Sequence, residues 1–99
     1  MGALLYGDRQ RRFEIDDRTL AHLQLVIAAK LRRRESFFFS VREEGDTAGR
    51  VSIWMSPMVP LHFKYYGSRP PMINRRWVEA LHDAASSPAG LVLVAEPTE

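Results

Sequence analysis

Residues 16–35, DDRTLAHLQLVIAAKLRRRE, open on two carboxylates, carry an apolar middle and close in three consecutive arginines. At about 100° per residue, Leu20, Leu23, Ile27 and Leu31 fall on one stripe, the pattern of a helix that faces a core. Asp16 or Asp17 can accept the unpaired N–H groups of the first turn. Lys30, Arg32, Arg33 and Arg34 stand at the other end, where the helix dipole favours cations. Both ends of one helix are thus specified locally. Leu25, Val26 and Ala29 lie off the stripe and leave the middle of the helix apolar nearly all round, a pattern of burial on two sides. In so short a chain few elements remain to cover a second face, so this patch is expected to pair with a second copy in a twofold homodimer.

Upstream of the helix, short strand-like runs at 3–6 and 12–15 flank the polar cluster Gly7-Asp8-Arg9-Gln10 and read as a hairpin. Downstream, residues 36–42 (SFFFSVR) alternate, with Phe37, Phe39 and Val41 on one side and Phe38, Ser40 and Arg42 on the other. A charged turn is expected over 43–49. Residues 51–56 then set Val51, Ile53 and Met55 against Ser52, Trp54 and Ser56. Pro57 and Pro60 bracket the next connection, and 61–66 points Leu61, Phe63 and Tyr65 inward with His62, Lys64 and Tyr66 outward. These three runs predict a three-stranded meander. Gly67-Ser68-Arg69-Pro70-Pro71 cannot extend a strand. Asn74 then caps a second helix whose apolar set is Trp77, Val78, Leu81, Ala84 and Ala85. Residues 91–95 form an almost unbroken apolar run, expected as a strand buried on both faces.

The resulting order is ββ-α-βββ-α-β, an α+β domain over residues 1–99 with a mostly antiparallel sheet and two helices on one face. Either helix would be a right-handed crossover if the strands it joins ran parallel in one sheet. With 99 residues, 45% of them hydrophobic, the chain can bury one ordinary core, and with Cys 0 it has no disulfide framework and no thiolate metal site. A reducing interior suits such a chain, so the cytoplasm is the expected location. No apolar run approaches the roughly 18 residues of a membrane span.

Lys+Arg 14 against Asp+Glu 12 leaves only +2, and Lys30 and Lys64 are the only lysines. A coding sequence rich in G and C explains abundant Arg and Ala. Anion recognition explains the arginines equally, because a guanidinium meets phosphate or carboxylate with two parallel hydrogen bonds. Arg32, Arg33 and Arg34 have a sufficient reason in the helix dipole. Arg75 and Arg76 do not, since they open the second helix where the dipole disfavours cations by about 0.3–1 kcal/mol each. A carboxylate such as Glu35 or Glu79, or a bound phosphate, would offset that cost. Together with Arg69 these six arginines make the candidate polyanion contacts. On the outer face of the meander, Phe38, Trp54 and Tyr66 are expected among Arg42, His62 and Lys64. Exposed aromatics between cations stack unpaired bases in several small folds. A dimer interface, or cover by the chain's own termini, is the competing reading.

Catalytic constellations are missing. His22, His62 and His82 fall on three different elements without cysteine or a His-Glu pair at ligand spacing, so no metal is expected. His82 and Asp83 are helix neighbours that point to different sides and make no triad. Gly45, Gly49 and Gly67 stand in turns and form no phosphate loop. No cofactor or small-molecule substrate is implied.

The phrases GALLYGD (2–8), IDDRTLAHLQLVIAAKLRRRESFFFS (15–40), SIWMSPMVPLHF (52–63), RPPMINRRWVEAL (69–81) and GLVLVAEP (90–97) cover nearly the whole chain. Together they resemble a family of small actinobacterial proteins that commonly carry the label ATP-dependent DNA ligase. That label implies a lysine nucleophile in a Lys-x-Asp-Gly motif, adenylated by ATP. Lys64-Tyr65-Tyr66-Gly67 keeps the outer spacing but puts Tyr66 in place of Asp, and Lys30 is followed by Leu31, Arg32 and Arg33. A nucleotidyltransferase domain also needs about twice this length by ordinary domain sizes. The residues therefore predict a non-enzymatic module that dimerises and binds nucleic acid or another polyanion. A protein-interaction domain is the alternative, and an accessory part in DNA ligation or repair, as the label suggests, comes third.

Overall fold

The helix α1 (Asp17–Arg32) starts where Asp16, in extended conformation, accepts the Thr19 N–H at 3.1 Å and the Thr19 hydroxyl at 2.7 Å. Asp16 is thus the cap. Asp17 reaches away from the helix, where its two carboxylate oxygens accept the N–H groups of Tyr66 at 3.2 Å and Gly67 at 2.7 Å. At the far end the Arg34 N–H donates to the Leu31 carbonyl at 3.0 Å and the Glu35 N–H to the Lys30 carbonyl at 3.1 Å. This is a Schellman termination, with Arg34 in the left-handed position at φ 60° where glycine is usual. Lys30 braces the same end. Its ammonium donates to the Ser86 hydroxyl at 3.1 Å and pairs with Glu35 at 3.0 Å, a contact that holds the Glu35 carboxyl below its usual range.

A computed structural model describes residues 1–42 and 49–98, so the turn expected over 43–49, Gly45 included, lies outside the described residues except at Gly49. The remaining elements are β1 (Gly2–Tyr6), β2 (Arg11–Ile15), β3 (Phe37–Arg42), β4 (Arg50–Met55), β5 (Leu61–Lys64), α2 (Arg75–Ala85) and β6 (Leu91–Val92). The order ββ-α-βββ-α-β and the α+β class hold. The strands form two three-stranded sheets, β2-β1-β5 and β4-β3-β6, antiparallel throughout except for the parallel pair β3 and β6.

The expected meander is therefore broken between its second and third strands. After β4, Ser56 closes a turn by accepting the Val59 N–H at 3.0 Å, and Gly7 donates its N–H to the Pro60 carbonyl at 3.0 Å. This carries β5 onto the free edge of β1, with Phe63 opposite Leu4. Alternation of apolar residues is satisfied by either partner and cannot choose between them. Neither helix is a crossover within a sheet, because α1 leads from β2 in one sheet to β3 in the other and α2 from β5 to β6.

The core lies between the sheets and the two helices. α1 packs on β1 and α2, while α2 packs on β6 and β3. Leu20, Leu23 and Ile27 are buried as their spacing predicts, and Leu31 is half-buried. They meet Leu4, Phe13, Phe39, Met55, Trp77 and Leu81 in one cluster. Val26 is buried in it too, at 1% exposure, so the apolar patch expected to face a second copy loses its middle residue to the chain's own core. The final strand is also shorter than expected. Leu91 is buried beside β3, but Val92 and Leu93 are exposed. Gly90, at φ 82°, lets the chain enter this strand, since a Cβ there would stand 2.5 Å from the Phe38 carbonyl oxygen.

Beyond Val92 the tail is held by polar contacts. His22, fully buried, accepts the Asn74 N–H at Nε2 (2.8 Å) and donates from Nδ1 to the Arg18 carbonyl (2.7 Å). These partners require the neutral Nδ1–H tautomer. Asn74 caps α2 by accepting the N–H groups of Arg76 and Trp77, and its amide nitrogen donates to Glu96 Oε2 and to the Pro97 carbonyl, both at 2.9 Å. The Trp77 indole donates to the Val94 carbonyl at 2.9 Å. Arg18 grips Glu96 with two hydrogen bonds, at 2.9 and 2.6 Å, and donates to the Met72 carbonyl at 2.8 Å. Arg18 first and Asn74 second pull the Glu96 carboxyl down from 4.5 to about 2. Among the described residues no helix is long and apolar enough to cross a membrane.

Three outcomes follow. Arg34→Gly relieves the left-handed strain and raises stability by about 1 kcal/mol in urea titrations. Asn74→Ala removes the cap and leaves buried partners unpaired, for a loss of about 2–3 kcal/mol by the same measurement. Because the Glu96 pKa is depressed on folding, its contribution is complete above pH 4.5 and disappears as pH falls towards about 2. The urea midpoint should drop across that window, and drop less in Glu96→Gln.

Candidate functional site

The outer face of the β4-β3-β6 sheet is built by strand alternation. Phe38, Ser40 and Arg42 point out from β3, with Phe37, Phe39 and Val41 in the core. Antiparallel pairing with β4 sets Phe38 opposite Trp54, Ser40 opposite Ser52 and Arg42 opposite Arg50, and places Val92 beside Ser40 from the other edge. The face has three rows. At one end the Phe38 and Trp54 rings meet edge to face, 4.9 Å between centroids at 63°, yet remain 50% and 47% exposed. In the middle the Ser40 and Ser52 hydroxyls lie 3.2 Å apart. At the other end stand two arginines with no carboxylate partner among the described residues. Like charges directly opposite one another destabilise a strand pair. Four residue steps along the extended β3 separate the aromatic row from the arginine row, about 14 Å.

The aromatic face expected over Phe38, Trp54 and Tyr66 is thus divided. Lys64 ends β5 on the other sheet, because β5 pairs with β1, and Tyr66 lies two residues past that end rather than in the strand expected over 61–66. There the Lys64 ammonium and the Arg12 guanidinium each lie 5.7 Å from the Tyr66 ring centre, and Arg12 is paired with Glu14 at 2.6 Å. His62 lies on that sheet too. Tyr6 joins the two sheets by donating its hydroxyl to the Trp54 carbonyl at 2.6 Å.

The six candidate arginines are spread over three places. Arg33 and Arg34 are exposed in the termination of α1. Arg32 and Arg69 line a cleft between α1 and the 65–73 segment, with Leu25 on its floor. Arg75 and Arg76 are exposed in the first turn of α2, where Arg76 donates to the Thr98 carbonyl at 3.4 Å. Neither finds a carboxylate among the described residues, since Glu35 is taken by Lys30 and no ion pair reaches Glu79. Of the patch expected to bind a second copy, Leu25 is exposed, Ala29 is half-buried and Val26 is in the core.

Arg50, the residue that completes the arginine row, was not among the sequence candidates. The pairing of β3 with β4 sets it opposite Arg42, a partnership that local alternation does not specify. A cleft of about 590 Å3 opens beside this row and takes in Glu14 and Asp16 as well as Arg42 and Arg50. Both charges line it, so the open strand face favours anions more than the cleft does.

The contact between Lys30 and Ser86 resembles a base beside a nucleophile, but the amine is a donor shared between Ser86 and Glu35. His22 spends both ring nitrogens on backbone groups. Among the described residues no three His, Asp or Glu side chains are grouped to hold a metal ion.

No curated protein and no solved structure matches this chain. Residues 1–96 match a family described as a domain of unknown function, DUF7882, and the match spans both sheets, both helices and most of the anchored tail. The chain belongs to the DUF7882 family.

Proposed function

We propose that this protein is a non-enzymatic module that binds single-stranded nucleic acid on the outer face of the β4-β3-β6 sheet. The observation that carries the reading is the register of β3 with β4, which puts an exposed aromatic pair and a facing arginine pair on one open surface about 14 Å apart. An unpaired base stacked on Trp54 or Phe38 contributes about 1–3 kcal/mol. A phosphate between Arg42 and Arg50 offsets the repulsion that the free protein carries there. The serine row supplies hydroxyls that serve any base or sugar. Duplex is the poorer ligand, because its base faces are already stacked.

A part in DNA joining, which the ligase label of similar small proteins suggests, would on this reading be to hold a strand. Tyr66 stands where nucleotide transfer needs Asp, and the Lys64 ammonium lies over the Tyr66 ring.

Titration with an oligothymidylate should quench the fluorescence of exposed Trp54, and Trp54→Ala should weaken binding roughly tenfold. Arg42→Ala with Arg50→Ala should flatten the slope of log affinity against log salt by about 0.7, from the one phosphate contact they share on a single strand. Arg75→Ala with Arg76→Ala should leave that slope alone, since α2 packs on the inner side of the sheet. Absence of binding at about 50 mM salt would overturn the proposal.

A further inference from the structure

A second surface lies on the opposite side of α1 from the core. Ala21, Leu25, Ala28 and Arg32 follow one another at the spacing of a single helix face and form the floor of a cleft of about 470 Å3. From Ala21 to Arg32 this floor runs about 16 Å at the helical rise. The facing wall is the 65–73 segment, which contributes Arg69, Pro71 and Ile73. That wall is anchored. Asp17 accepts the Tyr66 and Gly67 N–H groups, and Tyr65 donates its hydroxyl to Gln24 on α1 at 2.6 Å. Leu25 and Ile73 are nonetheless 46% and 39% exposed.

Charge selects the occupant. Among the described residues the cleft is lined by two arginines, Arg32 and Arg69, and by no carboxylate. A second copy docked on this cleft about a twofold axis would gather four arginines and no carboxylate of the described lining into one interface, which opposes the homodimer expected from Leu25. The length of the floor suits an extended chain of about five residues better than a compact small molecule. We propose that this cleft docks an acidic peptide segment of a partner protein, with an apolar side chain seated on Leu25 and Ile73 and carboxylates on Arg32 and Arg69. The site is separate from the strand face proposed for nucleic acid and shares no residue with it.

The test uses isotopically labelled full-length protein and two synthetic peptides of about ten residues, one alternating Glu with Leu and one alternating Lys with Leu. The acidic peptide should shift the amide resonances of Ala21, Leu25, Ala28 and Ile73 and leave those of Ser40 and Ser52 in place. Arg32→Gln with Arg69→Gln should weaken it roughly tenfold, whereas Trp54→Ala should leave its affinity unchanged. Both arginines are exposed, so the double variant should keep its circular dichroism spectrum. Equal binding of the lysine peptide, resonance shifts confined to other surfaces, or no shift at millimolar peptide would each overturn the proposal. So would a dimer in sedimentation whose interface maps to Leu25 and Ile73.

Discussion

The side chain of Asn74 is the contact on which the most structure depends. Almost wholly buried, it uses all the hydrogen-bonding capacity of its amide: the oxygen caps α2, and the nitrogen holds Glu96 and the Pro97 carbonyl. Its backbone N–H goes to His22 in the middle of α1. One residue therefore connects both helices to the tail. A buried polar group is tolerated only when every donor and acceptor is satisfied, and here that condition brings three separate segments together. Arg18 completes the set by neutralising Glu96, the one carboxylate drawn into it.

This clasp explains why so short a β6 persists. Two residues of parallel pairing with β3 could not hold the chain's end alone. The Trp77 indole on the Val94 carbonyl, and the Arg18 and Asn74 grip on Glu96, place the tail so that Leu91 enters the core. The β4-β3-β6 sheet thereby gains its third strand, and its inner side is sealed by α2. Its outer face is left open, with the aromatic and arginine rows on it. The proposed strand-binding surface is thus a by-product of how the opposite face is closed.

Division of the strands between two sheets has the same weight for function. Had β5 paired with β4, Tyr66 and Lys64 would have extended the Phe38 and Trp54 surface. Their actual place beside Arg12 makes a separate cation–aromatic cluster instead. Anchoring the 65–73 segment on Asp17 and Gln24 also creates the cleft over α1. The residues that end one sheet therefore shape a second surface some distance along the chain.

Local order was legible in the sequence because it rests on short-range physics. An acidic cap at Asp16 or Asp17, the basic end of α1, the Asn74 cap, and the in-and-out alternation of β3 and β4 all depend on residues within a few positions of one another, and only the distant Tyr66 and Gly67 N–H groups that Asp17 accepts leave the cap to Asp16. Partnership was not legible. Alternation leaves β5 equally able to pair with β4 or β1, and an apolar helix middle does not say that Val26 belongs to the core while Leu25 does not. Arg50 shows the same limit, since it gains meaning only opposite Arg42. Such choices are settled by contacts between residues far apart in the chain, where the burial of shared apolar surface and the pairing of buried polar groups decide among arrangements that local pattern leaves equal.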